Sequence, residues 1–102
     1  MKSSQTLVVK TNLYLKDDII LHPNEGYDLG LMLPSTPVKI FSNSTIEVFN
    51  KAENGFMNGN VLLENKCTPL TIEIAKSFWK KIGSPDKVKL FYKDNKILVA
   101  SM

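Results

Sequence analysis

The chain has 102 residues, of which 43% are hydrophobic and 23% charged, and its formal net charge is +3. This length and composition predict a single soluble globular domain that can bury its own core, and no apolar run approaches the roughly 18 residues of a membrane span. Cys67 is the single cysteine, so an internal disulfide and a thiolate metal cluster are excluded, and a reducing, cytoplasmic setting fits best.

The first predicted element is a strand. Polar and apolar residues alternate from Thr6 to Leu15, which indicates one strand, or two strands with a break near Asn12. Asp17 and Asp18 follow as a turn and form the one adjacent carboxylate pair of the sequence. Neighbouring residues on a strand point to opposite faces, so we expect no acid/base pair there.

A short apolar strand, Ile19–Leu21, precedes a segment that we expect to be a loop or one irregular turn. Gly26 and Gly30 weaken a helix there. His22 is the single histidine, and no set of metal ligands accompanies it. The tetrapeptide from Gly26 to Leu29 is similar to a fragment of the dUTPases, and that resemblance supplies the enzyme alternative.

The middle of the chain is predicted to be a hairpin followed by a loop. The residues Val38–Phe41 and Thr45–Phe49 are typical of strands, and Ser42–Ser44 would form the turn between them. The segment Lys51–Asn60 carries two Asn-Gly turn signals and is expected to be a loop, with the strand Val61–Leu63 after it.

An apolar pair, Phe56 and Met57, lies between those two turn signals. Such a pair on a loop is either a contact for a protein partner or a cap over the core. We treat both residues as candidate partner-binding residues.

The C-terminal third has the clearest pattern. Thr71–Ile74 alternates like a half-buried strand, and the period then changes to that of a helix over Ala75–Ile82. Gly83 is a helix stop. The segments Val88–Tyr92 and Ile97–Ala100 predict a hairpin whose turn is formed by the four residues between them.

This order of elements resembles the SpoVT/AbrB and MazE family of small DNA-binding domains. In that family a strand and a short helix ending in glycine precede a hairpin with a recurring Asp, Val and Lys-Ile pattern. The hairpin pattern is matched here by Asp86, Val88, Leu90, Asp94 and Lys96–Val99. The resemblance covers about a third of the chain and implies a swapped-hairpin barrel and DNA binding.

Two features depart from the pattern of that family. Ala75 stands where the family has a proline, and the arginines that its members use against DNA are absent. The first departure is compatible with the fold, whereas the second bears on the function.

The two halves of the chain also resemble each other. Val38–Phe41 aligns with Val88–Phe91, and Ile19–Leu21 aligns with Ile72–Ile74. We therefore expect a single domain over residues 1–102, with candidate half-repeats at 6–50 and 61–101. The predicted fold is mainly β: a small β-barrel of strand-helix-hairpin units, AbrB-like or double-psi-like, with one short helix near residues 75–82.

The candidate duplication also bears on the oligomeric state. Two strand-helix-hairpin units in one chain could close the barrel within a monomer, which would remove open sheet edges. If the halves are unrelated, a homodimer formed through the C-terminal half is expected.

The positive charge is concentrated in the second part of the chain. Residues 1–65 carry five lysines and seven acidic residues, whereas residues 66–102 carry eight lysines and three. Lysine attracts phosphate but reads base edges less well than arginine does. The candidate phosphate contacts are Lys76, Lys80, Lys81, Lys87 and Lys89.

The sequence favours a small non-enzymatic, DNA-associated regulator without cofactor, metal ion or catalytic residues, and with duplex DNA as the partner. The alternative is a protein-interaction or structural module of phage or mobile-element type that binds no nucleic acid. A dUTPase-like enzyme is the third alternative.

Overall fold

The computed structural model describes residues 1–51 and 55–102, which form eight strands and three short helices. The strands are β1 (Lys2–Ser3), β2 (Leu7–Thr11), β3 (Ile19–Leu21), β4 (Ser35–Ser42), β5 (Met57–Leu63), β6 (Thr71–Ile74), β7 (Lys87–Lys93) and β8 (Lys96–Ser101). The helices are α1 (Pro23–Asp28), α2 (Ile46–Lys51) and α3 (Lys76–Lys81). None of these helices is long and apolar enough to span a membrane.

Seven of the strands close into a barrel, in the order β2-β6-β3-β5-β4-β8-β7 and back to β2. Three neighbouring pairs are parallel, namely β2 with β6, β3 with β5, and β4 with β8. The other pairs are antiparallel, and β1 adds two residues to β7. The prediction of a mainly β protein built as a small barrel is confirmed, and closure takes place within one chain.

The strand pairings show an internal correspondence, in which β2, β3 and β4 match β5, β6 and β7 in turn. β2 lies between β7 and β6, as β5 lies between β4 and β3. The middle strands β3 and β6 pair with each other, and each continues into a six-residue helix, α1 or α3. β8 has no counterpart in this scheme, because it is inserted between β4 and β7.

The core fills the barrel with aliphatic side chains from every barrel strand. Residues alternate along β7, where Val88 and Leu90 are buried and Lys87 is exposed. The helix α3 closes the core with Phe78 and Ile82, which belong to the same cluster. The members with no measurable exposure are Leu7, Leu21, Val61, Ile72, Ile74, Val88, Leu90 and Ile97.

The predicted helix near residues 75–82 is confirmed as α3. Ala75 and Ile82 are its caps, and Gly83 ends it with φ of 95°. A positive φ there favours glycine, because the residue has no Cβ to clash with the preceding turn. Trp79 then fastens the helix to the following loop, since its indole Nε1 donates to the Pro85 carbonyl at 2.8 Å.

The prediction of a loop or one irregular turn after β3 was wrong, because the regular helix α1 occupies residues 23–28. The imidazole Nδ1 of His22 accepts a hydrogen bond from the Asn24 amide at 3.1 Å and caps the helix. Pro23 follows at the first helical position, where its missing N–H costs nothing. The single histidine is therefore a helix cap in this fold.

The predicted strand at Thr45–Phe49 was also wrong, because the chain forms α2 there. The Thr45 hydroxyl accepts from the Val48 amide at 3.2 Å, which is the geometry of an N-cap. The predicted hairpin therefore does not form, and β4 pairs with β5 and β8 instead.

The segment predicted as a loop up to Asn60 contains the first half of β5, and residues 52–54 lie outside the described part of the chain. The Asn-Gly turn signal at Asn58 was misread, since both of its residues pair with β4. Gly59 is required by a close approach, because a Cβ there would collide with the Asp17 carbonyl.

We predict that Gly59→Ala destabilises the barrel by roughly 1–3 kcal/mol, because the Asp17 backbone must shift to admit a methyl group. Urea denaturation followed by far-UV circular dichroism measures the free energy of unfolding. Asn58→Ala, at the exposed neighbouring position of β5, is the matched control and should change it by less than about 0.5 kcal/mol. Equal stability of the Gly59 variant and the wild type would show that the close approach is absent.

Candidate nucleic-acid interface

Three of the five predicted phosphate contacts lie on α3. Lys76, Lys80 and Lys81 are exposed, whereas Phe78 on the same helix is buried in the core. The first turn of α3 carries no acidic residue. Lys80 and Lys81 lie in its last turn, where the partial negative charge of a helix C-terminus favours cations.

The other two predicted contacts lie on the outer face of β7. Lys87 is exposed and Lys89 is half-buried, and they alternate with the interior residues Val88 and Leu90. The Lys89 ammonium lies 5.7 Å from the centroid of the Phe91 ring, the next outward residue of the strand. This contact keeps the ammonium close to the sheet surface.

The five lysines therefore occupy two consecutive elements joined by the loop 82–86. The end of α3 and the start of β7 lie beside the end of β8, because Ser101 Oγ donates to the Ile82 carbonyl and the Met102 amide donates to the Lys87 carbonyl. None of the five lysines forms a salt bridge with a carboxylate in residues 1–51 or 55–102. Their charge is thus open to an external anion.

Strand register brings together three further residues that the sequence analysis did not select. Lys96 on β8 pairs with Lys39 on the parallel strand β4, and with Lys93 on the antiparallel strand β7. The three side chains form one row across adjacent strands, about 4.8 Å from strand to strand. We call Lys39, Lys96 and Lys93 the lysine row.

An apolar row runs beside the lysine row on the same outer face. It consists of Phe41 on β4, Leu98 on β8 and Phe91 on β7, which are neighbours in the register. The helix α2 covers it through Phe49, whose ring meets the Phe41 ring edge-on at 5.4 Å between centroids. Phe41, Phe49 and Leu98 are buried and form a second core outside the barrel.

Lysine ammonium groups lie against the rings of this second core. Lys39 Nζ is 4.8 Å from the centroid of the Phe56 ring, and Lys96 Nζ is 5.8 Å from that of Phe49. Cations at these distances from a ring face are attracted by its quadrupole. The rings therefore restrict where the ammonium groups of the outer face can be.

The two candidate partner-binding residues contact different cores. Phe56 is half-buried against the second core, 5.6 Å from the Phe41 ring, whereas Met57 begins β5 and packs against the barrel core. The apolar pair is thus divided between two clusters. More strongly exposed apolar residues of this region lie on α2, where Ile46 is 42% and Val48 59% exposed.

The carboxylate pair lies at a different part of the surface. Asp18 accepts hydrogen bonds from the Asn60 backbone amide at 3.0 Å and from its side-chain Nδ2 at 3.2 Å. Asp17 and Asp18 border a shallow depression of about 360 Å³. Asp18 therefore has a structural partner in Asn60.

Cys67 is buried, and its thiol has neither an ordinary pKa nor an accessible position. Burial, with a smaller contribution from Glu73, raises the pKa of the Cys67 thiol to about 11. The sulfur lies 3.7 Å from the Thr71 carbonyl, to which it donates. Within residues 1–51 and 55–102, no group of three or more His, Cys, Asp or Glu side chains could hold a metal ion.

Comparisons with known proteins identify no relative of this chain. No protein-family model matches the chain, and no curated protein and no solved structure gives a significant match. The likeness to the SpoVT/AbrB and MazE family therefore rests on the residues of the C-terminal third.

We predict that iodoacetamide alkylates Cys67 very slowly in the folded protein at pH 8. A pKa of about 11 leaves roughly one thousandth of the thiol as the reactive thiolate at that pH. The rate should rise about tenfold per pH unit up to pH 10, as long as the fold persists. Mass spectrometry measures the fraction of Cys67 that is alkylated over time. The same reaction in urea, where the thiol is exposed, is the control and should be fast. Rapid alkylation of the folded protein at pH 8 would contradict the burial of this thiol.

Proposed function

We propose that the chain is a small non-enzymatic, DNA-associated regulator that contacts the phosphate backbone through lysines of α3 and β7. The observation that carries the proposal is the state of the five lysines selected from the sequence. They are exposed or half-buried, and none has a carboxylate partner in the described part of the chain. The resemblance of this segment to the SpoVT/AbrB and MazE family points to the same function.

The charge of the whole chain supports binding to a polyanion. The net charge of +3 and the sequence pI of about 9.0 attract phosphate at neutral pH. The thirteen basic residues are all lysines, which act as mobile point charges rather than as bidentate readers of guanine. The proposed contact is therefore with the backbone and carries little sequence preference.

A protein-interaction module is the second candidate, and α2 favours it. The exposed side chains of Ile46 and Val48 lie on the helix that covers the second core, close to the half-buried Phe56. Apolar side chains at the surface of such a helix suit a protein contact. A pull-down that retains one stoichiometric protein, insensitive to nuclease, would favour this candidate over the regulator.

We predict binding of the wild-type protein to a short random-sequence duplex at low salt, with affinity that falls steeply as salt rises. Each neutralised phosphate contributes a slope of about −0.9 to the plot of log K against log salt. Replacing two lysines of β7, in Lys87→Gln/Lys89→Gln, should therefore reduce the slope by roughly 1.8. Fluorescence anisotropy with labelled duplex measures both quantities.

The matched control is Lys10→Gln/Lys16→Gln, which removes the same charge from exposed positions in and after β2. It should leave the slope unchanged to within about half a contact. Absence of binding by the wild-type protein at low salt would remove the proposal. An equal effect of the two double variants would show that only net charge matters.

A further inference from the structure

We propose that the turn at residues 12–15 and the helix α3 form one surface that binds single-stranded DNA. In this surface the Tyr14 ring stacks on an unpaired base, and lysines of α3 contact the neighbouring phosphates. The inference rests on the proposed function and specifies the form of DNA that the α3 site takes. It also adds an aromatic residue from the first half of the chain.

The turn carries the two most exposed large apolar side chains in the described part of the chain. Leu13 is 80% and Tyr14 97% exposed. The neighbouring Leu15 is half-buried and packs against the barrel core. Exposed apolar side chains that lie together at a surface mark a contact site when charged or polar groups surround them.

Hydrogen bonds fix the backbone that presents the Tyr14 ring. The Asn12 side chain accepts from the Tyr14 amide at 2.9 Å and donates to Glu73 Oε1 at 3.0 Å. The Leu15 amide donates to the Asn12 carbonyl at 3.3 Å, which closes the turn. The ring is therefore held outward by an ordered turn, and less conformational freedom is lost when a ligand binds.

The turn lies beside the start of α3. β2 and β6 are parallel, and the Asn12 amide extends their pairing by donating to the Ile74 carbonyl at 2.8 Å. Tyr14 follows Asn12 by two residues, as Lys76 follows Ile74. At about 3.8 Å between consecutive Cα atoms, the Cα atoms of Tyr14 and Lys76 are at most roughly 20 Å apart. One bound strand can span that distance.

The lysines of α3 continue this surface along the helix. Lys76 and Lys80 are exposed, whereas Phe78 between them is buried. Residues four apart share a helix face, so the two lysines are separated by about 6 Å along the axis. A ring beside a line of cations is the arrangement with which proteins bind single strands, since the cations follow the phosphates and the ring stacks on a base.

The geometry of the ring favours an unpaired base over a duplex. A base of a single strand can stack on Tyr14 directly, whereas a duplex must first be unstacked at one step, which costs free energy. Stacking also depends little on salt, unlike the phosphate contacts. We therefore expect the preference for the single strand to be clearest at moderate salt.

Trp79 on α3 does not offer a second platform for bases. It is half-buried, and its indole Nε1 donates to the Pro85 carbonyl at 2.8 Å. Phe78 is buried in the barrel core. Among the described residues of α3 and the turn, Tyr14 is therefore the aromatic side chain with an exposed ring.

The positive charge of this surface lies on its α3 side. Lys10 is opposite Glu73 in the register of β2 and β6, and Lys16 is followed by Asp17 and Asp18. These two lysines are thus accompanied by carboxylates, whereas the first turn of α3 carries no acidic residue. A bound strand is expected to run from Tyr14 along α3 rather than towards Asp17.

The test uses the full chain with a labelled single strand and with the duplex of the same sequence, at several salt concentrations, and fluorescence anisotropy as the readout. Tyr14→Ala should weaken binding of the single strand roughly 5- to 100-fold, because one stacked base is lost. Tyr14→Phe keeps the ring and should bind within about twofold of the wild type. Neither variant should change the salt slope, since no charge is removed.

Tyr27→Ala is the matched control for the ring. Tyr27 is 68% exposed and lies on α1, which carries no basic residue in its last turn. Because β3 and β6 are antiparallel, the helices that follow them begin at opposite ends of the barrel. Tyr27→Ala should therefore leave both affinities unchanged. Tyr14→Ala should not lower the melting temperature, because the ring is almost fully exposed.

The phosphate contacts are tested separately with Lys76→Gln/Lys80→Gln. The salt slope for the single strand should fall by about 1.4, because each phosphate contact contributes about 0.7. Lys10→Gln/Lys16→Gln is again the control of equal charge, and it should leave the slope unchanged.

The outcomes separate this inference from the function on which it rests. If the wild type binds and Tyr14→Ala binds the single strand as tightly as Tyr27→Ala does, the inference is overturned and DNA binding by the lysines remains. A wild type that prefers the duplex at moderate salt would overturn it as well. No binding of either probe at low salt would remove the proposed function and, with it, this surface.

Discussion

The insertion of β8 between β4 and β7 is the constraint on which the rest of the structure depends. Without it, the pairings of the two halves leave β4 and β7 at open edges. With it, the sheet closes, and Ile97 and Val99 enter the core while Leu98 faces outward. Closing the sheet into a barrel removes the two open edges that β4 and β7 would otherwise present.

The same strand creates an outer face that combines apolar residues with lysines. Its outward residues bring Phe41 beside Leu98 and Lys39 beside Lys96, although β4 and β8 are far apart in sequence. The apolar residues of this face are then covered by α2, and lysines remain around them. Stability and charge on this surface therefore have one origin, the register of β8 between its two neighbours.

The C-terminal third was predictable because local signals agree with tertiary packing there. The change of period after Ile74, the stop at Gly83 and the turn at Asp94 each specify one structure.

The sequence was misleading at positions where a single side chain determines the local backbone structure. β-Branched residues after Thr45 favour a strand, yet the cap formed by its hydroxyl begins a helix, and Gly59 signals a turn although it admits a neighbouring backbone. The lysine row could not be predicted, since parallel register between distant strands has no local signature.

The pairing of β8, parallel with β4 and antiparallel with β7, can be measured directly. Nuclear Overhauser spectroscopy on the isotopically labelled protein reports backbone proton distances between paired strands. We expect cross-strand contacts that join Ile40 with Ile97 and Leu90 with Val99. Contacts between β4 and β7 directly, with β8 lying outside the barrel, would contradict it.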